Sequence, residues 1–259
     1  MRLRICWMFP ALVLASLRPC FADTLSAEAA AGLFDKPTKL MQLPLPADPA
    51  NPDTKAQLTC AYYAHFMIKE IDLGELGAQQ LSILPIATGQ ARPACRTENS
   101  VEEKVISAED WSGYFWGVKG RYVFFSADDG WNGGIGFAVF NAEEASKLFE
   151  DAAKTWHSVK LSGDGLMLRY QRVFEAKCSL RAEPTGCWQK IKRDTGLPGA
   201  AGPDCTAAYA AEQKRTPAFA EQVLADPTVF DYEVVVSLDA GNAKSTPASA
   251  KIANCRPSE

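Results

Sequence analysis

Apolar and polar residues alternate with a period of two from Leu58 to Lys69. Leu58, Cys60, Tyr62, Ala64, Phe66 and Ile68 fall on one side, and Thr59, Ala61, Tyr63, His65, Met67 and Lys69 on the other. Alternation of this kind predicts a half-buried strand. DLGELG (72–77) then turns the chain, Leu81 to Ile86 predicts a second strand, and the stretch from Cys95 to Glu103 reads as a polar loop. Trp111 to Val118 and Arg121 to Ser126 predict two further strands joined at Lys119-Gly120, and Ile135 to Phe140 predicts another. Tyr122 and Phe124 face one way, Val123 and Phe125 the other. Strands apolar on both faces belong at the centre of a sheet that is covered on both sides.

The period then changes. Asn141 is a suitable helix N-cap, with Glu144 three residues on to complete a capping box. Ala145, Leu148, Phe149, Ala152, Ala153 and Trp156 follow at helical spacing. They predict an amphipathic helix of about three turns lying over one face of the sheet. Gly163-Asp164-Gly165 marks a turn, after which Leu166, Leu168 and Tyr170 alternate with polar neighbours in a strand that runs to Cys178. Residues 179–204 read as a Gly- and Pro-rich loop. Ala207 to Lys214 and Pro217 to Leu224 read as short helices, the second capped by Thr216 with Pro217 at its first position. Phe230, Tyr232, Val234, Val236 and Leu238 give a clear last strand, and a short one follows at Ala250 to Ala253. The expected fold is mainly β: antiparallel sheets, sandwich-like or an incomplete propeller, with one amphipathic helix and a short helical insertion.

The N-terminus alters where this fold is expected to work. Arg2 and Arg4 precede an apolar run over residues 5–17, and Cys20-Phe21-Ala22 places small residues at a cleavage site. Residues 1–22 therefore read as a secretory signal, and the protein as periplasmic or secreted. Residues 23–57, with LPLPADPANPD, read as an extended Pro-rich arm, because proline fixes φ and removes a donor. Residues 58–259 are expected to form a single domain.

Cleavage after Ala22 removes three of the 27 basic residues and none of the 31 acidic ones, leaving 24 against 31 and a formal charge of −7. That balance disfavours nucleic acid or an anionic membrane as partner. No later stretch is apolar enough to predict a transmembrane segment. Six cysteines remain: Cys60, Cys95, Cys178, Cys187, Cys205 and Cys255. In an exported chain they predict three disulfides, each contributing about 2–4 kcal/mol. Placing bridges at element ends pairs Cys60 with Cys95, Cys187 with Cys205 and Cys178 with Cys255.

Catalytic chemistry finds little support. There is no G-x-S-x-G elbow, and the two histidines, His65 and His157, lie far apart with no neighbour that suggests a triad. The most site-like stretch is FFSADDGWNGGIGF, residues 124–137. As a calcium loop it is poor. Asp128 and Asp129 are adjacent, so their side chains diverge, and the twelfth position counted from Asp128 is Val139 rather than a bidentate Glu. As a turn between buried strands it is well composed, and no cofactor is expected, with calcium as the alternative. Eight aromatic residues fall between Trp111 and Trp131. Most are needed for the core, but a tryptophan at a strand end can stack on a sugar or anchor a partner. The candidate binding residues are Trp111, Trp116, Asp128, Asp129, Trp131 and Asn132. The expected function is a non-catalytic binding module for a glycan, peptide or protein. The alternatives are a carboxylate-dependent hydrolase, or a hydrolase inhibitor acting through the 179–204 loop.

Overall fold

The computed structural model describes residues 32–47, 52–239 and 242–259. The signal segment expected over residues 1–22 lies outside them. Twelve strands form two antiparallel sheets in which neighbours in the chain are neighbours in space. The first sheet holds β1 (Lys39–Pro44), β2 (Gln57–Tyr62), β3 (Phe66–Asp72), β4 (Gln80–Pro85) and β5 (Lys104–Ile106). The second holds β6 (Tyr114–Lys119), β7 (Tyr122–Trp131), β8 (Gly134–Asn141), β9 (Lys147–Ser162), β10 (Gly165–Glu175), β11 (Thr228–Asp239) and β12 (Asn242–Pro257). Three short helices follow β10: α1 (Pro184–Thr195), α2 (Thr206–Arg215) and α3 (Ala220–Val223), with a 3₁₀ turn at Pro217–Phe219. The expected mainly β, disulfide-tied fold is what the chain adopts. Part of the expected arm is itself a strand, since β1 pairs with β2 from Lys39↔Tyr62 to Pro44↔Gln57.

The two sheets pack face to face. Ala61, Ile68 and Ile83 of the first meet Val123, Phe125 and Phe140 of the second. The alternate residues of β7 and β8, namely Phe124, Phe137 and Val139, turn to the far side and build the largest core with Trp156, Tyr170 and the helices. β7 and β8 are thus central strands buried on both faces, as their apolar runs require. Gly117 of β6 admits the Phe34 ring, which would lie 2.4 Å from any Cβ placed there. Fully burying a side chain such as Phe124 contributes about 2–3 kcal/mol.

Three expectations are corrected. The alternating run from Leu58 to Lys69 is two strands rather than one. The chain reverses at residues 63–65, where Tyr63 N donates to Phe66 O (2.9 Å). The turn resets the phase, so Leu58, Cys60 and Tyr62 share a face with Met67 and Ile71, away from the second sheet. The helix expected from Asn141 to Trp156 is instead the sixteen-residue strand β9. The capping signal is real but local: Asn141 Oδ1 accepts from Glu143 N (2.8 Å) in a tight connection. Register shifts then fall in β9 around Leu148, Lys154 and His157. Each bulge adds a residue, so Ala153, Trp156 and Val159 reach the core three residues apart, a spacing that imitates a helix. Third, residues 184–195 of the expected loop form α1.

Cys60–Cys95 pairs as expected. The other two bridges are Cys178–Cys187 and Cys205–Cys255, not Cys187–Cys205 and Cys178–Cys255. Because α1 folds Cys187 back beside the end of β10, Cys178 is its neighbour, and Cys205 at the start of α2 is left to meet β12. Within the 179–204 segment, residues 184–195 are helix α1, with Trp188 and Ile191 buried in the core, and residues 198–201 are exposed loop. Three disulfides are consistent with an oxidising compartment, periplasmic or extracellular. No helix among the described residues is long and apolar enough to cross a membrane.

Candidate binding surface on the β7–β8 hairpin

The β7–β8 hairpin carries four of the six expected residues. Its turn is the pair Asn132-Gly133, with φ of 51° and 70°. Two successive left-handed residues make a type I′ turn, which follows the twist of its flanking strands, and Asn-Gly is its preferred sequence. Below the tip, Ser126 pairs with Phe137 and Gly130 with Ile135, so residues 127–129 bulge opposite Gly136. Asp128 and Asp129 lie in this bulge. Asp128 sits under the β3–β4 turn, where its carboxylate would be 3.4 Å from a Cβ on Gly77, whereas Asp129 is exposed. Among the described residues, no group of three or more His, Cys, Asp or Glu side chains gathers as a metal site.

The tryptophans divide. Trp116 packs edge-on against Phe34, Phe137 and Trp156 and belongs to the core. Trp111 is half-buried, with its ring over Gly136 and its Nε1 donating to Ser126 O (3.2 Å). Trp131, at the tip, is 61 % exposed, yet its Nε1 donates to Glu175 Oε2 at 2.9 Å. The same carboxylate oxygen accepts from Asn132 Nδ2 (2.8 Å). The indole is therefore held at its N–H edge while the residue stays largely exposed.

Asn132, in contrast to its neighbour, is 1 % exposed. Its Oδ1 accepts from Glu259 N (2.9 Å), its Nδ2 also reaches Ser258 Oγ (3.3 Å), and its carbonyl accepts from Arg256 Nη2. Arg256 Nη1 turns inward to Asp231 Oδ1 (3.5 Å). Asp231 is fully buried and is met by Lys154 Nζ (3.0 Å) and Asn254 Nδ2 (2.5 Å). A continuous polar network thus runs from the hairpin tip through β12 into β11. Beside it, residues 256–259 and α2 line an open groove of ≈ 670 Å³ that carries Arg215 and Glu212. Sequence reasoning missed Glu175, Asp231 and Arg256. They sit 43 to 124 residues from the tip, and no spacing rule connects them to it.

Two further polar clusters lie within the fold. Arg172 donates from Nε to Asp151 Oδ2 (2.6 Å) and from Nη1 to Tyr232 Oη (2.9 Å), and Tyr170 Oη also donates to Asp151. Burial is the largest single influence and works against the guanidinium charge, but Asp151, Tyr170 and Tyr232 together outweigh it and the Arg172 pKa is raised. Glu70, between the sheets, is the carboxylate displaced furthest from its ordinary range among the described residues. Burial lifts it to about 7 against the pull of a hydrogen bond from Phe115 N. Comparison of the chain with protein-family models, with curated proteins and with solved structures finds no match.

Proposed function

We propose that the protein is an exported, non-catalytic binding module that presents Trp131 at the tip of the β7–β8 hairpin to a glycan, peptide or protein. The observation that carries this reading is the combination at Trp131 of 61 % exposure with an indole N–H fixed on Glu175. An aromatic ring that is exposed and already oriented loses little freedom when a partner covers it, and it offers a face to a sugar ring or an apolar side chain. The support beneath it is rigid: a type I′ turn, a buried Asn132 and the network to Arg256 and Asp231. Asp129 and the groove beside Arg215 extend the same end of the molecule.

The test is a thermal-unfolding screen against oligosaccharides, peptidoglycan fragments and short peptides, with calcium and a chelator in the same panel. A ligand at about 100 times its Kd raises stability by about 2.7 kcal/mol and moves the midpoint by several degrees. Trp131→Ala is expected to abolish that shift while leaving the midpoint of the free protein within about a degree or two, because an exposed ring contributes little to folding. An unchanged ligand shift in Trp131→Ala moves the binding surface elsewhere.

A further inference from the structure

Lys69 lies in the middle of β3 on the outer face of the first sheet, on the same side as Met67 and Ile71. Its cross-strand neighbours are Cys60 on β2 and Ser82 on β4, both buried. Cys60 is bridged to Cys95, which brings the β4–β5 connection across the Lys69 side chain. Lysines on a sheet face ordinarily carry their ammonium out to water. This one ends beneath the connection, 1 % exposed.

Four oxygens from one short stretch of chain meet the ammonium there. Nζ donates to Thr97 O and Glu98 O (both 3.3 Å) and to Asn99 Oδ1 (3.0 Å), and Glu103 Oε1 lies at 2.6 Å. These oxygens are themselves held. Gln80 Nε2 donates to Asn99 Oδ1 (2.8 Å) and to Glu103 Oε1 (3.0 Å), and Ser100 N donates to Glu103 Oε2 (3.0 Å). A cavity of ≈ 200 Å³ adjoins the ammonium, and its lining includes Met67, Leu84, Arg96 and Glu98. Arg96 and Glu98 bring one charge of each sign. Lys104, next after Glu103, turns to the opposite face with Ile83 and donates to Glu143 O.

Charge and size define what such a site takes. One carboxylate and three neutral oxygens carry a single negative charge, so a monovalent cation leaves the buried site neutral and a divalent one does not. The four oxygens stand at hydrogen-bonding distance from a nitrogen, whereas calcium draws its ligands in to about 2.3–2.6 Å and magnesium to about 2.0–2.1 Å. Carbonyl oxygens arranged in this way also replace the hydration shell of potassium.

We propose that residues 97–103 form a cage for a monovalent cation of the ammonium or potassium class, which Lys69 fills with a cation tethered to the chain. The tethered ion locks the β4–β5 connection onto β3, and a free ion of the same class takes its place once the lysine side chain is cut back. The site is on the outer face of the first sheet and does not rest on the reading of Trp131.

The test is Lys69→Ala, which leaves the four oxygens without their cation. Its unfolding midpoint is compared with that of the wild type in the chlorides of ammonium, potassium, sodium and choline at equal ionic strength, so that screening is common to all. A cation at about ten times its Kd raises the midpoint by about 3–5 °C. That rise over choline is expected for the variant in ammonium and potassium, and is expected to be absent in the wild type, where the cage is full. A variant midpoint that is the same in all four salts, or raised as much by sodium, overturns the cage, and so does an equal rise in the wild type. A variant that folds only in ammonium or potassium supports it. Should Lys69→Ala fold in none of the four, nitrogen NMR of the lysine side chains in the wild type decides. Ammonium protons on Lys69 that exchange with water about tenfold or more slowly than those of exposed Lys251 support the cage, and exchange at the rate of Lys251 overturns it.

Discussion

Lys69 Nζ lies 2.6 Å from Glu103 Oε1, and both side chains are only 1 % exposed. The pair sits on the outer face of the first sheet, under the connection from β4 to β5. The ammonium also donates to Thr97 O and Glu98 O (both 3.3 Å) and to Asn99 Oδ1 (3.0 Å). Glu103 accepts from Gln80 Nε2 (3.0 Å) and Ser100 N (3.0 Å). With the Cys60–Cys95 bridge, this ion pair folds the connection down onto β2 and β3. Removing one partner leaves an uncompensated buried charge. Lys69→Ala or Glu103→Ala is therefore expected to cost about 3–5 kcal/mol in denaturant unfolding, and Lys69→Met with Glu103→Leu clearly less than the sum of the two. A single-variant cost under about 1 kcal/mol contradicts this account.

Global stability is expected to depend on pH through Glu70. In the folded protein its carboxyl holds a proton up to about pH 7, whereas its ordinary value is 4.5. Between those values the folded state binds more protons than the unfolded chain, so stability falls as pH rises through the window and levels above it. Allowing for the part of the carboxyl that meets solvent, the loss is about 2 kcal/mol. Glu70→Gln is expected to flatten the curve between about pH 5 and about pH 7.5. Chemical denaturation at a series of pH values checks this, and parallel curves for the two proteins contradict it.

The three disulfides are expected to differ in worth. Cys178–Cys187 closes a separation of 9 residues, and Cys205–Cys255 one of 50. Loop-closure entropy makes the shorter bridge worth about 2.6 kcal/mol and the longer about 4 kcal/mol. Paired Cys→Ala replacement of residues 205 and 255 is expected to lower the unfolding midpoint more than replacement of residues 178 and 187. Digestion of the unreduced protein provides the prior check: it must release a peptide joining Cys205 to Cys255.

Local chemistry made much of the fold legible. The doubly apolar runs at Tyr122–Phe125 and Ile135–Phe140 announced central strands because both faces are buried there. The acids, asparagine and glycines of residues 124–137 announced a turn between two buried strands. What failed was periodicity across interruptions. β9 has bulges that put Ala153, Trp156 and Val159 at a three-residue spacing, and a strand counted that way looks helical. The reversal at residues 63–65 joins two strands whose alternation continues in sequence while its faces exchange. The candidate surface was half legible: Trp131 and Asn132 stood out among glycines. Glu175, Asp231 and Arg256 did not, because their link to the tip is made by sheet register and by the docking of residues 256–259, which one sequence does not encode as a local pattern.

Asn132 offers a test of what holds the tip, because its two contributions can be separated. Its left-handed backbone (φ 51°) disfavours a residue with an ordinary Cβ, and its side chain serves Glu175, Ser258 and the Glu259 amide. Asn132→Gly keeps the conformation and loses the hydrogen bonds. Asn132→Ala loses both. Left-handed backbone costs a non-glycine residue about 1 kcal/mol, and each buried hydrogen bond is worth about 1 kcal/mol. Asn132→Gly is therefore expected to destabilise by about 1–2 kcal/mol and Asn132→Ala by about 2–3 kcal/mol. Both are expected to raise exchange at the amides of residues 256–259 while leaving the centre of β10 protected. Equal costs for the two variants would assign the whole effect to the side chain, and a glycine variant as stable as the wild type would assign it to the backbone. In that second case Glu175 alone orients Trp131, and Glu175→Ala becomes the variant that frees the indole.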